Sequence, residues 1–463
     1  MMGRSLYIQR TDHMSKLFGT NGVRGVVNQD MNSQLALQMG KAIGIVLPGT
    51  VAIATDTRYT CDMIRSAVSS GLMAVGCDVL YLGSIPTPAL QYYVKTHQVS
   101  AGVMITASHN PPEFNGIKVI DSDGTEASAE HEKEIEDRYD EVIPLVEWEK
   151  TGSCREISGA ADDYVDAIIS KLDVEAIRAA NLTVVLDCTN GASYYTSPLL
   201  LKKLGVRAIT LNGNPQGEFP GHPSEPTEDN LQDLMKMVRD TPEAVLGIAH
   251  DGDADRCVFV DGDGNYVPGD KTLAILSASI IRQNKGGIIV TPVATSSVID
   301  DAVTEAGGTV VRTAVGSPKV ARKMMDNGGV FGGEENGGLI FADHQFCRDG
   351  GMAIGRMLES ILANGPLKDQ VAALTPYYTV KKKIVCPDHL KEEVLKYLDK
   401  NTEGMNKDPT DGLKILFDNG WVLARASGTE PIFRVYAESK DKAVAEELAS
   451  KYESMAKVCI SSM

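Results

Sequence analysis

Short runs of β-branched and aliphatic residues alternate with amphipathic segments along most of the chain, and this alternation limits the possible folds most strongly. A buried strand is predicted at 51–55 and is followed by a helix over 61–76. The same rhythm restarts with strands at 183–187 and at 287–292. Alternation of this kind is typical of mixed, mostly parallel sheets that helices cover on both faces. We therefore expect three similar α/β domains.

The last part of the chain follows another pattern. Between 378 and 439 the sequence predicts four strands, and three of them are consecutive. Helices are predicted at about 388–401 and 441–457. Consecutive strands without intervening helices favour a smaller α+β domain. The domain boundaries predicted from these patterns are 14–157, 158–256, 257–375 and 376–463.

Composition excludes several classes of protein. The chain has 45 basic and 62 acidic side chains and a formal net charge of -17, so it repels polyanions. Neither nucleic acid nor an anionic membrane surface is expected as its main partner. The longest uncharged apolar stretch, Ala42 to Ala54, is too short to span a bilayer. The 8 cysteines are scattered without a C-x-x-C motif, which indicates a reduced, cytoplasmic chain with no disulfide framework or zinc ribbon.

The segment Thr106–Lys118 follows a predicted buried strand and contains the first candidate for chemistry. It places Ser108 at the carboxyl end of that strand, where open α/β sheets bind ligands. Its asparagine, prolines and glycine indicate a rigid loop that holds Ser108 exposed. No G-x-S-x-G motif surrounds this serine, which argues against a hydrolase triad, and a serine displayed in this way could instead carry a phosphoryl group. Lys118 is positioned to lie near Ser108 at the same end of the sheet, where it can act as a cation or as a proton shuttle. The alternative is an ordinary capped turn.

The segment Asp251-Gly-Asp-Ala-Asp-Arg256 also follows a buried strand. In extended backbone its three carboxylates face one side, and their converging charge is costly unless a cation is bound. Hard oxygen ligands select Mg²⁺, Ca²⁺ or Mn²⁺ over zinc. The EF-hand template fails because Arg256 and Gly262 occupy its sixth and twelfth positions, so we expect a magnesium site. The alternative is a solvated acidic loop.

The glycine-rich segment Gly332–Gly338 is the third candidate. Its glycines let the backbone approach a ligand closely, and Glu334 and Asn336 can hydrogen-bond neutral hydroxyls. A carboxylate in such a loop suits a sugar better than a phosphate. A plain flexible loop is the alternative.

The fourth candidate is the segment Arg425–Pro431, with Arg434 shortly after it. A guanidinium, two hydroxyls and a glycine form a compact cradle for a dianionic phosphate. The alternative is a turn between two strands. Neither a Walker A motif nor G-x-G-x-x-G is present in the sequence.

Taken together and in this order, the four segments resemble the signature loops of the α-D-phosphohexomutase superfamily, which includes phosphoglucomutases, phosphomannomutases and phosphoglucosamine mutases. The segment 18–25 is similar to the amino-terminal loop of that family. The resemblance implies four domains around a central cleft. It also implies an intramolecular phosphotransferase that interconverts hexose 1-phosphates and 6-phosphates. The reaction would pass through a phosphoserine and a hexose 1,6-bisphosphate, which also serves as activator.

The resemblance further implies a role for each candidate residue. Arg24 and Lys118 would steady the transferring phosphoryl group, and Lys118 or His109 would assist proton transfer. The ligands implied for one Mg²⁺ per chain are Ser108, Asp251, Asp253 and Asp255. The residues implied to bind substrate are Arg256, Glu334, Asn336, Arg425, Ser427, Gly428, Thr429 and Arg434.

One departure from the family pattern bears on the substrate. Many members carry serine and then histidine where this chain has Asn336 and Gly338, although His344 lies nearby in sequence. This variant resembles archaeal-type members that are phosphoglucosamine mutases or broad sugar-phosphate mutases. The preferred interpretation is a phosphoglucosamine mutase that acts on a small hexose phosphate as a monomer or homodimer. The alternatives are a broad phosphomannomutase/phosphoglucomutase, a metal-dependent sugar phosphatase and a non-catalytic sugar-phosphate-binding protein.

Overall fold

Four β-sheets, each formed by one continuous part of the chain, carry the architecture. The computed structural model describes residues 17–19, 22–428 and 430–462. The predicted start at Met14 and the predicted role of Thr429 lie outside the described residues. The predicted fold class, three α/β domains and a carboxyl-terminal α+β domain, is confirmed.

The first sheet has six strands in the order β1-β5-β4-β2-β3-β6, so β4 and β2 are central. β2 pairs in parallel with β3 and β4, whereas β5 runs antiparallel to β4. Nearly every residue of β2 is buried, as expected of a parallel strand covered on both faces. The elements of this part are β1 (Val23–Val26), α1 (Ser33–Val46), β2 (Thr50–Thr55), α2 (Cys61–Ala74), β3 (Asp78–Ser84), α3 (Thr87–Thr96), β4 (Ala101–Ile105), β5 (Phe114–Asp121), α4 (Ala129–Tyr139) and β6 (Cys154–Glu156).

The second sheet has five strands in the order β11-β10-β9-β7-β8. β9 and β10 form an antiparallel hairpin in which His250 pairs with Cys257. The boundary predicted at 256 would separate these hydrogen-bonded neighbours, so the hairpin lies with the strands before it. The elements are α5 (Ala160–Ile169), α6 (Val174–Ala179), β7 (Thr183–Asp187), α7 (Thr196–Lys203), β8 (Arg207–Leu211), α8 (Gln232–Arg239), β9 (Ala244–His250), β10 (Cys257–Asp261) and β11 (Tyr266–Val267).

The third sheet has the order β13-β12-β14-β15-β16. β12 pairs in parallel with β13 and β14, and the remaining pairs are antiparallel. Its elements are α9 (Gly269–Asn284), β12 (Ile288–Pro292), α10 (Val298–Glu305), β13 (Thr309–Thr313), α11 (Ser317–Asn327), β14 (Gly329–Gly333), β15 (Leu339–Phe341), β16 (Gln345–Arg348), α12 (Gly350–Asn364) and α13 (Leu367–Ala373).

The fourth sheet is antiparallel, with the order β17-β21-β20-β19-β18. Its elements are β17 (Tyr378–Val385), α14 (Lys391–Lys400), β18 (Asn406–Asp408), β19 (Leu413–Phe417), β20 (Gly420–Ala426), β21 (Ile432–Ser439) and α15 (Lys442–Ser461). Short 3-10 turns occur at Trp148–Lys150, Ala192–Tyr194 and Asp388–Leu390.

The cores of the four domains are not equally joined. One continuous apolar cluster includes residues from the first three domains, such as Leu90, Leu246 and Phe331. The fourth domain has its own core between its sheet and its helices. It meets the third domain through a smaller cluster that contains Val293 and Trp421. No helix among the described residues is both long enough and apolar enough to cross a membrane.

Candidate active site

The loop after β4 places the candidate phosphoserine beside the candidate metal loop. The Thr106 hydroxyl accepts a hydrogen bond from the backbone N–H of Ser108 at 2.8 Å. Ser108 has a left-handed φ of 51°, and its Oγ donates to Asp251 Oδ2 at 2.7 Å. The prediction that the loop holds Ser108 exposed is wrong, since its exposed fraction is 0%. The side chain is buried because the loop packs against the second domain, where Gly252 contacts the Ser108 backbone.

Two residues at the end of β2 fix this loop, and the sequence analysis missed both. Asp56 accepts a hydrogen bond from the Thr106 hydroxyl at 2.6 Å and forms a buried ion pair with Arg58 at 3.0 Å. The Arg58 guanidinium donates to four backbone carbonyls of the serine loop, those of Ser108, Asn110, Pro111 and Phe114. A D-x-R triplet directly after a buried strand was the signal that could have identified them.

The three aspartates after β9 converge on one point. Their carboxylate oxygens lie within 4.8 Å of one another, and all three residues are buried. The convergence does not come from extended backbone, as the sequence analysis expected. The chain turns here instead, with a left-handed φ of 56° at Ala254, because the six residues 251–256 must reverse the chain between the antiparallel strands β9 and β10.

The donor set of this cluster fits a divalent cation. Burial first, and then the charges of Asp255 and Asp253, raise the pKa of Asp251 to about 8, so its carboxylate is costly to keep ionised without a nearby cation. The Oδ1 atoms of Asp253 and Asp255 are buried and have no hydrogen-bond partner among the described residues. Buried carboxylate oxygens without partners are the hard ligands that Mg²⁺ prefers. These carboxylates can therefore hold Mg²⁺.

Lys118 lies against the same carboxylates. Its Nζ is 2.7 Å from Asp253 Oδ2 and 3.2 Å from Asp255 Oδ2. Burial alone would lower the pKa of Lys118, but the attraction of the two carboxylates outweighs it and raises the pKa above its ordinary value. Lys118 is therefore held as a cation beside the serine loop.

Two arginines and a histidine complete the surroundings of Ser108. Arg24, from β1, donates to Asn110 Oδ1 at 2.9 Å and to the Ala107 carbonyl at 3.2 Å. The Arg256 guanidinium lies 2.9 Å from His109 Nδ1. Burial, together with the charges of Arg256 and Arg24, lowers the pKa of His109 to about 2. His109 is therefore neutral and accepts the hydrogen bond from Arg256.

The candidate sugar loop connects β14 to β15. The Glu334 carboxylate accepts a hydrogen bond from the Gly316 N–H at 3.1 Å. The backbone N–H of Glu334 donates to the Gly338 carbonyl at 2.9 Å. Asn336 Oδ1 accepts from the Gly338 N–H at 3.1 Å and so shapes the loop itself. Burial raises the pKa of Glu334, while nearby arginines oppose the increase.

A buried arginine that the sequence analysis did not identify connects this loop to the metal loop. Arg348, at the end of β16, donates to Asp255 and lies 3.8 Å from Glu334. It also lies 4.0 Å from Glu126 of the first domain. A basic residue at the end of a short strand gave little signal, because its three partners are distant in sequence.

The candidate phosphate loop connects β20 to β21. Arg425 and Arg434 are paired residues on these strands, so both guanidinium groups start from one end of the hairpin. Arg425 forms an ion pair with Asp411 at 3.2 Å, and Arg434 forms one with Glu430 at 2.7 Å. The Ser427 N–H donates to the Ile432 carbonyl at 3.0 Å and closes the turn.

Lys391 adds a further positive charge to this loop, and the sequence analysis missed it. Its Nζ donates to the carbonyls of Ser427 at 2.6 Å and Glu430 at 2.7 Å. Gly428 lies between them, and a Cβ atom there would meet only open space. The loop thus combines basic side chains with an accessible backbone, a combination that suits an anionic group.

A short chain of contacts joins the phosphate loop to the sugar loop. Asp411, the partner of Arg425, accepts a hydrogen bond from the Val315 N–H at 3.0 Å. The next residue, Gly316, donates to Glu334. Arg425 of the fourth domain therefore lies on the same side of the third domain as Glu334.

Family models cover nearly all of the chain. Models described as phosphoglucomutase/phosphomannomutase α/β/α domains I, II and III match residues 15–144, 162–264 and 268–378, and the model of the carboxyl-terminal domain matches 363–453. The chain belongs to this family. The family lies within the α-D-phosphohexomutase superfamily, and the predicted enzyme class is confirmed.

Similar proteins carry names from within this superfamily. "Probable phosphoglucosamine mutase" of Methanopyrus kandleri is 42% identical, over 96% of this chain and 99% of its own. "Phosphoglucomutase/phosphomannomutase" of Thermococcus kodakarensis is 41% identical, over 94% and 97%. "Phosphoglucosamine/phosphogalactosamine mutase" of Sulfurisphaera tokodaii is 39% identical, over 95% and 98%. A solved structure of a family member from Burkholderia thailandensis is 25% identical with a TM-score of 0.86, covering 96% and 97%.

Within this phosphohexomutase fold, the predicted site residues form two groups. The first surrounds Ser108 and contains Arg24, His109, Lys118, Asp251, Asp253, Asp255 and Arg256. The second lies where the third and fourth domains meet and contains Glu334, Asn336, Arg425, Ser427, Gly428 and Arg434. Arg348 connects the groups through Asp255 and Glu334.

Proposed function

We propose that this enzyme is a phosphoglucosamine mutase that converts glucosamine 6-phosphate to glucosamine 1-phosphate through a phosphorylated Ser108. The observation that carries the proposal is the 2.7 Å contact between Ser108 Oγ and Asp251 inside a buried trio of aspartates. A hydroxyl beside concentrated carboxylates and several cations is suited to phosphoryl transfer, which depends on positioning and charge neutralisation.

In the first half-reaction, the bond between Ser108 Oγ and phosphorus breaks while a free hydroxyl of the hexose phosphate bonds to phosphorus. The cations Arg24 and Lys118 neutralise the phosphoryl oxygens during this transfer. Ser108, Asp251, Asp253 and Asp255 are the residues that would hold Mg²⁺, and the bound ion would supply further charge neutralisation there. The proton of the attacking hydroxyl ends on Ser108 Oγ, which is a hydroxyl again after the transfer. His109 could relay this proton only by giving up the hydrogen bond that its Nδ1 accepts from Arg256.

The second half-reaction returns the other phosphate to Ser108. The bisphosphorylated sugar reverses its orientation, while the phosphate that is not reacting is held in the loop between β20 and β21. Glu334 and Asn336 hydrogen-bond the sugar hydroxyls in both orientations. The residues proposed to hold the phosphate are Arg425, Ser427, Gly428, Thr429 and Arg434. Hexose 1,6-bisphosphate is then both intermediate and activator, because it phosphorylates Ser108.

Replacing Ser108 tests the mechanism. Ser108→Ala should abolish turnover in the presence of hexose 1,6-bisphosphate and Mg²⁺, because no other described hydroxyl hydrogen-bonds the aspartate trio from this loop. The loss should be at least about 10⁴-fold, measured as product formation and as transfer of labelled phosphoryl to the protein. The control is Ser153→Ala, which removes an exposed hydroxyl just before β6 that donates to Asp78, and this variant should retain activity.

The same assay separates two alternative functions. Release of inorganic phosphate in proportion to substrate loss indicates a phosphatase in which water attacks phospho-Ser108. Binding without turnover at every Mg²⁺ concentration indicates a sugar-phosphate-binding protein. Full activity of Ser108→Ala would place the phosphoryl carrier elsewhere.

The choice of sugar depends on similarity to relatives, since no described contact reads the C2 substituent. The names of the Methanopyrus and Sulfurisphaera proteins favour glucosamine phosphate, and the name of the Thermococcus protein favours a broad phosphoglucomutase/phosphomannomutase. We expect kcat/KM for glucosamine 1-phosphate to exceed the values for glucose 1-phosphate and mannose 1-phosphate by about tenfold, the usual effect of one well-paired polar group. Equal values for the three sugars would instead establish the broad activity.

A further inference from the structure

Gly338 has no side chain because another residue occupies the space. A Cβ atom at 338 would lie 2.3 Å from Cδ and 3.1 Å from Cγ of Arg348. The backbone does not demand glycine there, because Gly338 is not among the residues with positive φ, in contrast to Gly337 at 87°. Arg348 alone therefore excludes a larger residue on one side of the loop, and Asn336 Oδ1 at 3.1 Å limits the other.

Arg348 cannot move away from residue 338 without losing its hydrogen bond to Asp255. The clash involves the middle of its side chain, whereas its guanidinium is anchored by a hydrogen bond to Asp255. The residue is only 4% exposed, and its Nε has no hydrogen-bond partner among the described residues. The Arg348 guanidinium forms one hydrogen bond among the described residues, so several of its N–H groups can still donate to other partners.

The guanidinium lies where three domains meet. Glu126 comes from the first domain, Asp255 from the second and Glu334 from the third, and Arg348 lies within 4.0 Å of all three carboxylates. Burial raises the pKa of Glu334, and the charge of Arg348 opposes this increase. Arg348 thus favours the ionised form of Glu334, which is the stronger acceptor of hydrogen bonds from hydroxyls.

We propose that Arg348 is a positioning residue that occupies the place of a side chain at 338 and holds Glu334 at a fixed distance from Asp255. The ligand it serves is a sugar hydroxyl bound by Glu334, so the proposal rests on the proposed function. Glycine at 338 and arginine at 348 form one unit: the sugar loop admits the arginine only because residue 338 has no side chain.

A double-mutant cycle tests the steric part of this unit. Gly338→Ala should lower kcat/KM by about 100-fold in the natural background, because a displacement of about 1 Å near the reacting groups has effects of this size. In an Arg348→Ala background the same substitution should cost less than about threefold, because the atoms it strikes are gone. Equal losses in both backgrounds would overturn the proposal. The melting temperatures of the natural protein, the two single variants and the double variant test the same steric coupling without requiring turnover.

Arg348→Lys tests the positioning role and keeps the charge if Arg348→Ala fails to fold. Lysine cannot fork between Asp255 and Glu334, so we expect KM for the hexose phosphate to rise about tenfold and kcat to change by less than about threefold. Arg356→Lys is the matched control, since Arg356 pairs with Glu359 and Asp343 outside the two site groups. An unchanged KM in Arg348→Lys would overturn the positioning role.

A separate measurement distinguishes failure of this inference from failure of the proposed function. Calorimetric binding of hexose 6-phosphate requires no turnover, so it reports the effect of Arg348→Lys on the sugar site directly. Weaker binding in Arg348→Lys, together with an absence of mutase product from the natural enzyme, would reject the proposed reaction and retain the role of Arg348. Mutase activity of the natural enzyme, together with unchanged binding in Arg348→Lys, would support the proposed reaction and reject the role of Arg348.

Discussion

At the scale of single residues, the orientation of Ser108 depends on Asp56 and Arg58, which lie outside the signature loops. Asp56 holds the Thr106 hydroxyl, and Thr106 in turn holds the Ser108 N–H. Arg58 satisfies four carbonyls of the loop and lies 5.0 Å from the ring of Phe219. A serine with a left-handed φ needs such support, because that conformation is unfavourable for a residue with a Cβ atom.

Arg58→Lys should therefore impair phosphoryl transfer without weakening substrate binding. Lysine has one donor group in place of a planar fork and cannot satisfy four carbonyls in these directions. We expect kcat to fall about 100-fold with KM for the hexose phosphate changed by less than about threefold, as determined by steady-state kinetics. Arg65→Lys, an arginine of α2 above the Tyr81 ring, is the control and should behave like the natural enzyme. If the kcat of Arg58→Lys equalled that of the natural enzyme, the serine loop would keep its conformation without the hydrogen bonds of Arg58.

The residues around Ser108 were predictable to the extent that their chemistry lies in contiguous motifs. The aspartate trio was apparent because its three carboxylates are alternate residues of one turn. Arg58 and Ser108 are 50 positions apart, and the bond between them ends on a backbone carbonyl, which leaves no pattern of side chains. Arg348 was missed for another reason: its carboxylate partners Glu126, Asp255 and Glu334 are distant from it or from one another in sequence and belong to three different domains.

At the scale of elements, the long loop between β8 and α8 covers the serine loop. Ser224 of this loop donates to the Asn110 carbonyl at 3.1 Å. His222 connects the loop to the end of β7, with Nε2 located 3.3 Å from Asp187 Oδ2. Burial alone would lower the pKa of His222, but the interaction with the Asp187 carboxylate outweighs it and raises the pKa.

This ion pair should make the covering loop more stable at low pH than at high pH. A histidine with a raised pKa contributes stability fully below its ordinary pKa of 6.5, and the contribution is lost as the pH rises through the folded value. His222→Gln should speed hydrogen exchange of the loop about 30-fold at pH 6, which corresponds to about 2 kcal/mol for a charged hydrogen bond, and by much less at pH 9. The exposed His389 provides the control variant His389→Gln. An equal effect of His222→Gln at both pH values would show that the ion pair between His222 and Asp187 does not cause the pH dependence.

The elements that the sequence predicted are those with strong β-branched or apolar periodicity. β7 has the predicted bounds, and α2 ends two residues before the predicted end at Gly76. α12 was not predicted, because it begins with two glycines that have low helix propensity. The Asp349 side chain caps it by accepting from the Met352 N–H at 2.8 Å, and burial of its apolar face outweighs the propensity.

At the scale of the whole molecule, the number of domains could be predicted but their contacts could not. Alternation of strands and helices is a local property, whereas docking depends on side chains that the fold brings together. The fourth domain illustrates this, because it joins the third through a small apolar cluster and a few polar contacts. Lys381 pairs with Glu335 of the sugar loop, and Lys414 donates to the Val293 carbonyl at 2.7 Å.

Trp421 is the central contact of this docking surface. Its indole N–H lies 2.8 Å from Glu438 Oε1 and 3.1 Å from Ser297 Oγ, and the same carboxylate accepts the Ser297 N–H at 2.9 Å. Arg425 lies four residues further along the same strand. The position of the phosphate loop relative to the sugar loop therefore depends on how firmly Trp421 is held.

Trp421→Phe should loosen the docking of the fourth domain while preserving most of its apolar packing. Glu438 belongs to the fourth domain together with Trp421, so the indole bond that crosses to the third domain is the one to Ser297 Oγ. Loss of this crossing hydrogen bond should cost about 1.4 kcal/mol, or about tenfold in the docking equilibrium. We expect hydrogen exchange at 293–297 to accelerate about tenfold and KM for the hexose phosphate to rise, since both site groups must face the substrate together. Trp148→Phe replaces the only other tryptophan, which is 83% exposed in the first domain, and should change neither quantity. Unchanged exchange at 293–297 in Trp421→Phe would show that the apolar cluster alone holds the domains together.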